Sequence, residues 1–241
     1  MTCFKEKKDS NCGQDAIWTY YQNKCAEEFY GARPRMEYLI KQIKKRFPNR
    51  VPCLLNVGAG NGDFEKMALS YEWDIHSIDP DETAVKRLNQ IGIKAFQGHI
   101  ENLVFKSDLF NIIVASEVLE HLTAEQFNLG IAEVKRVLKP GGWFIGTVPY
   151  RENLNLNKVY CPNCHCVFHR WGHERSFDLK TLQDALGLFF DIVNVRRTAF
   201  ISFHRRSLLG AIKGMTRIIL AKFGSEIAIP SIFFMARKGN K

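Results

Sequence analysis

No stretch of this 241-residue chain approaches the roughly 20 consecutive apolar residues that a membrane-crossing helix needs. Its start, MTCFKEKKDSNC, is charged where a signal peptide would carry an apolar core, so a cytoplasmic location is expected. Internal repeats and low-complexity linkers are also missing. The length then suits one good-sized domain with insertions, or at most two small domains. Acidic residues are in short supply: 25 Asp and Glu face 34 Lys and Arg, a formal net charge of +9. That imbalance favours an anionic partner such as nucleic acid, a membrane surface or a phosphorylated small molecule, and says nothing of fold. Hydrophobic residues at 46% and charged residues at 24% exclude collagen-like, coiled-coil and wholly disordered chains.

What is present is an alternation. From about Asn56 to Val148, short apolar runs alternate with helical stretches, the pattern of a doubly wound α/β sheet. CLLNV (Cys53 to Val57), DIHSID (Asp74 to Asp79), GIKAF, FNIIVAS (Phe110 to Ser116) and GWFIGTV read as strands. FNIIVAS is nearly continuous in apolar residues, as expected where both faces of a parallel sheet are covered. DFEKMALSYE, ETAVKRLNQI and AEQFNLGIAEVKRVL read as helices, the last closed by Lys139, Pro140 and Gly141. The front, Ile17 to Arg46, is helical and rich in aromatics. The tail continues with a helix (Leu179 to Leu186), a strand (Phe189 to Val195), a basic helical stretch (Arg205 to Phe223) and the strand SIFFMAR. The predicted organisation is a helical lid over residues 1–50 and one α/β domain over 51–241. That domain carries a Cys/His-rich insertion at 159–177 and a basic helical insertion at 200–229.

Ligands of open parallel sheets bind beyond the carboxyl ends of the strands. Gly58, Gly60 and Gly62 follow the first predicted strand directly, a spacing that allows a tight turn and close backbone approach to a ligand. Asp79 closes the second strand about 20 residues later, where a carboxylate can accept both hydroxyls of a ribose. Each feature alone fits an ordinary turn or cap; their joint spacing points to an adenosine-type ligand.

Here the chain resembles the class I S-adenosylmethionine-dependent methyltransferases, in the branch with an EVLEH motif. LLNVGAGNGDF, HSIDPD, FQGHIENLVF, FNIIVASEVLEHL and VKRVLKPGGWFIGTVP appear in the family's order, covering about Pro52 to Pro149. The resemblance implies a Rossmann-like, seven-stranded, mostly parallel sheet with helices on both faces and the last strand antiparallel. It also implies S-adenosylmethionine as cofactor and transfer of its methyl group. Carried over, Gly58, Ala59, Gly60 and Gly62 line the methionine end and Asp79 binds the ribose. Pro80 lies beside the adenine, His99 and Ile100 flank its edge, and Ser116 and Glu117 sit under the sulfonium. Three positions depart from the family: Asn56 stands where an acidic residue is common, and His99 and Asn111 each replace an Asp. Asn56 can still hydrogen-bond backbone amides or an ammonium, without a countercharge. These departures keep open an inactive module that binds the cofactor only.

An alcohol acceptor benefits from a base, typically worth about 10²–10⁴-fold. His121, one helical turn after Glu117, can share a face with that carboxylate; it could equally pack the loop after the fourth strand. His173, in the segment HERSF, is the second candidate, because related methyltransferases place a His before an Arg-aromatic segment near the acceptor. CPNCHCVFHRWGH, however, offers a competing use. Cys161, Cys164, His169 and His173 have the spacing of a tetrahedral, structural Zn²⁺ site, with Cys166 able to replace one histidine. A metal-free loop with free thiols is the alternative.

The basic stretch 205–223 suits peripheral contact with anionic lipid, a lid over an anionic acceptor, or plain packing with a solvated face. Tyr20, Tyr21, Arg33 and Arg35 are candidate lid residues over the cofactor. The favoured acceptor is a small molecule or glycan, accepting on a hydroxyl oxygen. Nucleic acid is disfavoured because the fourth strand ends in ASEVLEH, without the Asx-Pro-Pro-aromatic motif of enzymes that methylate planar amino groups.

Overall fold

The computed structural model describes residues 14–24, 32–162, 165–200 and 231–240. The predicted basic helix at 205–223 therefore lies outside the described residues. Nine strands and six α-helices follow in chain order among them. The helices are α1 (Gln14–Lys24), α2 (Arg33–Arg46), α3 (Asp63–Ala68), α4 (Glu82–Gln90), α5 (Ala124–Val137) and α6 (Leu179–Gly187). The strands are β1 (Cys53–Val57), β2 (Asp74–Asp79), β3 (Lys94–Gln97), β4 (Phe110–Ser116), β5 (Leu138–Pro149), β6 (Lys158–Tyr160), β7 (Val167–His169), β8 (Asp191–Thr198) and β9 (Ser231–Arg237).

Seven strands form one sheet in the order β3-β2-β1-β4-β5-β9-β8. Neighbours from β3 to β5 pair in parallel, and β9 runs antiparallel to both β5 and β8. The strand order reverses beside β1, where β2 lies on one side and β4 on the other. Their carboxyl ends open a crevice at that point.

Alternation along the strands divides the core in two, as a period of two requires. Leu55, Val57, Ile113, Ala115, Phe144 and Phe234 face α5 and α6, packing on Phe127, Ile131, Val134, Leu182 and Leu186. Leu54, Ile112, Val114, Ile145 and Met235 face the other way, onto Leu39, Ile40 and Ile43 of α2, Phe64 of α3 and Leu88 of α4. Both faces are buried, which is why β4 reads as an unbroken apolar run. Helix starts are chemically marked: Thr123 and Gln126 close a capping box on α5, and Asp81 accepts from the Ala84 N–H to cap α4.

Several elements differ from expectation. DFEKMALSYE is a six-residue α-helix followed by a 3₁₀ turn at Leu69–Tyr71. The α5 helix runs directly into β5 at Leu138, so the Lys139–Gly141 turn belongs to the irregular start of the strand. The front divides into helices of different use: α2 is a core helix, whereas α1 lies over the crevice. The Cys/His-rich region contains a two-stranded hairpin, β6 with β7.

Candidate active site

A cavity fills the crevice beyond β1, β2 and β4. Its walls come from the β1 loop (Asn56, Gly58, Ala59, Gly60), the β2 tip (Asp79, Pro80), the segment after β3 (His99, Ile100) and the β4 tip (Ser116, Glu117, His121). Every cofactor residue expected from sequence thus lines it, apart from Gly62.

The β1 loop shows why glycine is used. Gly58 and Gly60 both have left-handed φ, at +77° and +54°. A Cβ on Gly58 would lie 2.7 Å from Val118 Cγ2, whereas one on Gly60 would meet no atom within 4 Å. Gly58 lets the loop press against the β4 tip, and Gly60 leaves backbone bare toward open space where a ligand fits. Gly62 (φ +74°) serves the fold instead, as N-cap of α3 against Leu88.

Asp79 is 2% exposed, and burial raises its pKa above the ordinary carboxylate range. Its oxygens accept from the Gly60 and Asp81 N–H groups at 3.0 and 2.9 Å. The Gln22 side chain also hydrogen-bonds it, and this grip fixes the carboxylate at the cavity wall with acceptor capacity left for a ribose hydroxyl. Asn56, expected to touch the cofactor, is turned to a buried neighbour: its amide donates to Glu65 Oε1 at 2.6 Å, and Ser77 Oγ donates to the same oxygen at 2.7 Å. Glu65 is fully buried, and burial raises its pKa despite those two bonds. Glu65 does not line the cavity, so its carboxyl group anchors the Asn56 amide from behind.

Residues from α1 and α2 close the cavity. Arg35 donates from Nε to Ser116 Oγ at 3.0 Å and lies 3.8 Å from Glu117 Oε2. Trp18 packs edge-on against His121 with ring centres 4.5 Å apart, Tyr21 meets Trp171 at 4.8 Å, and Asp15 lies 3.6 Å from His99. Arg33 faces solvent in an ion pair with Glu37, and Tyr20 meets the Tyr21 ring edge-on at 5.6 Å. Of the four candidate lid residues, Arg35 lines the cavity and reaches the β4 tip.

His121 is 7% exposed; burial, then the nearby His173 ring, push its pKa down to about 3. It is neutral at pH 7, but its conjugate acid is so acidic that it makes a poor proton acceptor. His173 stands behind it, ring centres 4.5 Å apart, and does not line the cavity. His173 Nδ1 is hydrogen-bonded to Glu152, whose other oxygen lies 3.5 Å from His169 Nε2.

The proposed zinc set is not assembled among the described residues. Cys164 lies outside them, and Cys161 sits at the tip of the β6–β7 hairpin, its N–H bonded to the Cys166 carbonyl. His169 pairs with Lys158 at the other end of the hairpin, three residues from Cys161. At about 3.3 Å per residue that separates them by roughly 10 Å. The thiols and imidazoles that adjoin in sequence are parted by the strand pairing. Glu152 and Glu120 were missed as functional candidates, because only the folded chain brings them to these histidines.

A sheet of this order, with a glycine loop after β1 and a ribose-type aspartate at the tip of β2, is the architecture of the class I methyltransferases that use S-adenosylmethionine. The comparisons agree. A methyltransferase domain family matches residues 55–146, in support of a class I S-adenosylmethionine-dependent methyltransferase. YodH, an uncharacterised methyltransferase of Bacillus subtilis, is 29% identical over 162 residues, covering 59% of this chain and 68% of YodH. Among solved structures, an S-adenosylmethionine-dependent methyltransferase of Methanosarcina mazei superposes with TM-score 0.59 at 16% identity, covering 83% of this chain and 98% of that one. The 1,6-didemethyltoxoflavin-N1-methyltransferase of Burkholderia thailandensis, bound to 1,6-didemethyltoxoflavin and S-adenosylhomocysteine, superposes with TM-score 0.62 at 15% identity, over 94% and 87% of the two chains. At these identities the structures speak for the fold.

Proposed function

We propose that this protein transfers a methyl group from S-adenosylmethionine to a hydroxyl oxygen of a small molecule or a sugar. The cofactor supplies an electrophilic methyl on a sulfonium. The chain's part is to bind, orient and exclude water. Asp79 takes the ribose hydroxyls, the bare backbone at Gly60 accommodates the methionine end, and the Glu117 carboxylate offsets the sulfonium charge. Arg35 and Trp18, reaching in from α2 and α1, cover the reacting end.

The observation that carries the acceptor reading is the lining beside the β4 tip. Ser116 and Glu117 meet there beside the buried ring of His121, and their side-chain oxygens can hydrogen-bond a hydroxyl and orient it. Nitrogen is the competing accepting atom, the one named for the Burkholderia relative. The test is turnover of a panel of hydroxylated sugars and phenols alongside amines, following S-adenosylhomocysteine release and locating the methyl by NMR. Methyl on oxygen is expected; turnover confined to amines overturns the reading. Contact of residues 205–223 with anionic lipid, and a cytoplasmic location, stay part of the proposal. No helix of the described residues is long and apolar enough to cross a membrane.

A further inference from the structure

The charge balance behind His121 is incomplete. Glu120 is 1% exposed, and neither of its carboxylate oxygens has a hydrogen-bond partner. Among the described residues, Arg35 is the one cation whose charge acts on this carboxylate, against those of Glu117 and Glu152, so the buried oxygens of Glu120 are candidate ligands for a further cation.

Donor atoms of Glu120, His121 and His173 all lie within 4.8 Å of one another. The hydrogen bonds around the two histidines set their tautomers. His121 Nδ1 lies 3.1 Å from the Gly172 carbonyl, which only accepts, so Nδ1 carries the proton and Nε2 the lone pair. His121 Nε2 is 3.9 Å from Glu120 Oε1. His173 Nδ1 meets the Glu152 carboxylate, which likewise leaves the lone pair on Nε2. A carbonyl behind one imidazole and a carboxylate behind the other is the support that metal-bound histidines usually have. A second group, Glu152 with His169 and His173, is also close. There His169 Nδ1 accepts the His173 N–H at 3.2 Å, so its proton sits on Nε2 and points at Glu152. His169 in this state cannot ligate, and Glu152 is the orienting group.

We propose that Glu120, His121 and His173 bind one divalent transition-metal ion of the zinc class, with a coordination position open toward the acceptor end of the cavity. Two imidazoles and one carboxylate are a sufficient borderline-soft set, and three protein ligands leave room for an exogenous oxygen. The site uses none of the cysteines. Resting on the methyl-transfer reading, the ligand at the open position is the acceptor's hydroxyl oxygen, whose pKa the ion lowers.

The test uses the full-length chain with Cys161→Ser and Cys166→Ser, stripped by a chelator and titrated with Zn²⁺ and Co²⁺. One ion per chain is expected, and the Co²⁺ form should show d–d bands without thiolate charge transfer. Glu120→Gln should weaken binding by more than roughly 100-fold, and Glu152→Gln by about 10–100-fold through loss of orientation. Should Glu120→Gln fail to fold, the Glu152→Gln value decides. Loss of the site on replacing the two cysteines, or unchanged affinity in the glutamate variants, overturns the proposal. S-adenosylmethionine binding by the stripped protein separates the two readings: binding of the cofactor without a metal site sinks the ion alone, and absence of both sinks methyl transfer as well.

Discussion

Asn56 and Glu65 form a buried amide–carboxyl pair at the end of β1, where the sequence resemblance leads one to expect an acid. An acid expected at the end of β1 is replaced by an amide, and a carboxylate from α3 sits 2.6 Å from it. Because burial raises the Glu65 pKa, its folded state holds the proton more tightly than its unfolded state. The linked stability is fully present below the unfolded value and is lost as pH rises through the folded one. Relative to Glu65→Gln, which keeps the acceptor for Asn56 and Ser77, the native protein should lose stability as pH rises above about 4.5. Urea unfolding of both proteins across pH 4 to 8 measures this, and a difference that is flat or grows with pH contradicts it. The glycines make a second contrast. Gly62→Ala drives a Cβ to 2.7 Å from Leu88 at positive φ, costing about 1–3 kcal/mol of stability with cofactor affinity within about twofold. Gly60→Ala has open space and should stay within about 1–2 kcal/mol, yet lose about tenfold or more in cofactor affinity as the methyl enters the cavity. Denaturant unfolding and calorimetric titration of the pair check both arms; the reverse pattern would exchange the roles assigned to the two glycines.

Among elements, the inner strands of the sheet were the most legible, because burial on both faces writes a nearly continuous apolar run into β4 and β9. β1, β2, β4 and β9 match their sequence-predicted bounds residue for residue. The β6–β7 hairpin was illegible: each strand has three residues, Tyr160 and Val167 are exposed, and no alternation can form over that length. Spacing alone then favoured a zinc knuckle, whereas backbone pairing puts Cys161 and Cys166 at one end and His169 at the other, with Cys164 outside the described residues. The front helices were seen as one helical region, and their different uses were not separable by periodicity. α1 buries Gln22 but exposes or half-exposes the other residues from Asp15 to Lys24, and reaches the cavity chiefly through Asp15, Trp18 and Gln22. An element with so little buried surface opens at low cost. Amide exchange in α1 should therefore be fast in the free protein and slow on addition of S-adenosylmethionine, while α2 is protected in both states. Equal protection of α1 with and without cofactor would remove it from the site.

At the scale of the whole molecule, the order of five motifs along the chain carried the sheet topology, since each motif sits at a strand tip and the tips form one crevice. What the sequence could not carry lies in contacts between distant segments: Glu152 with His173, Trp18 with His121, Arg35 with Ser116. The acceptor is specified by the insertions, where no periodicity links residue type to ligand. The central claim is that this crevice holds S-adenosylmethionine with Asp79 on its ribose, and calorimetric titration of the cofactor into the native protein and into Asp79→Ala tests it most directly. Micromolar binding that Asp79→Ala weakens by about 10–100-fold is predicted, as befits hydrogen bonds to a charged group. Absence of binding to the native protein, or equal affinity for the variant, would contradict it.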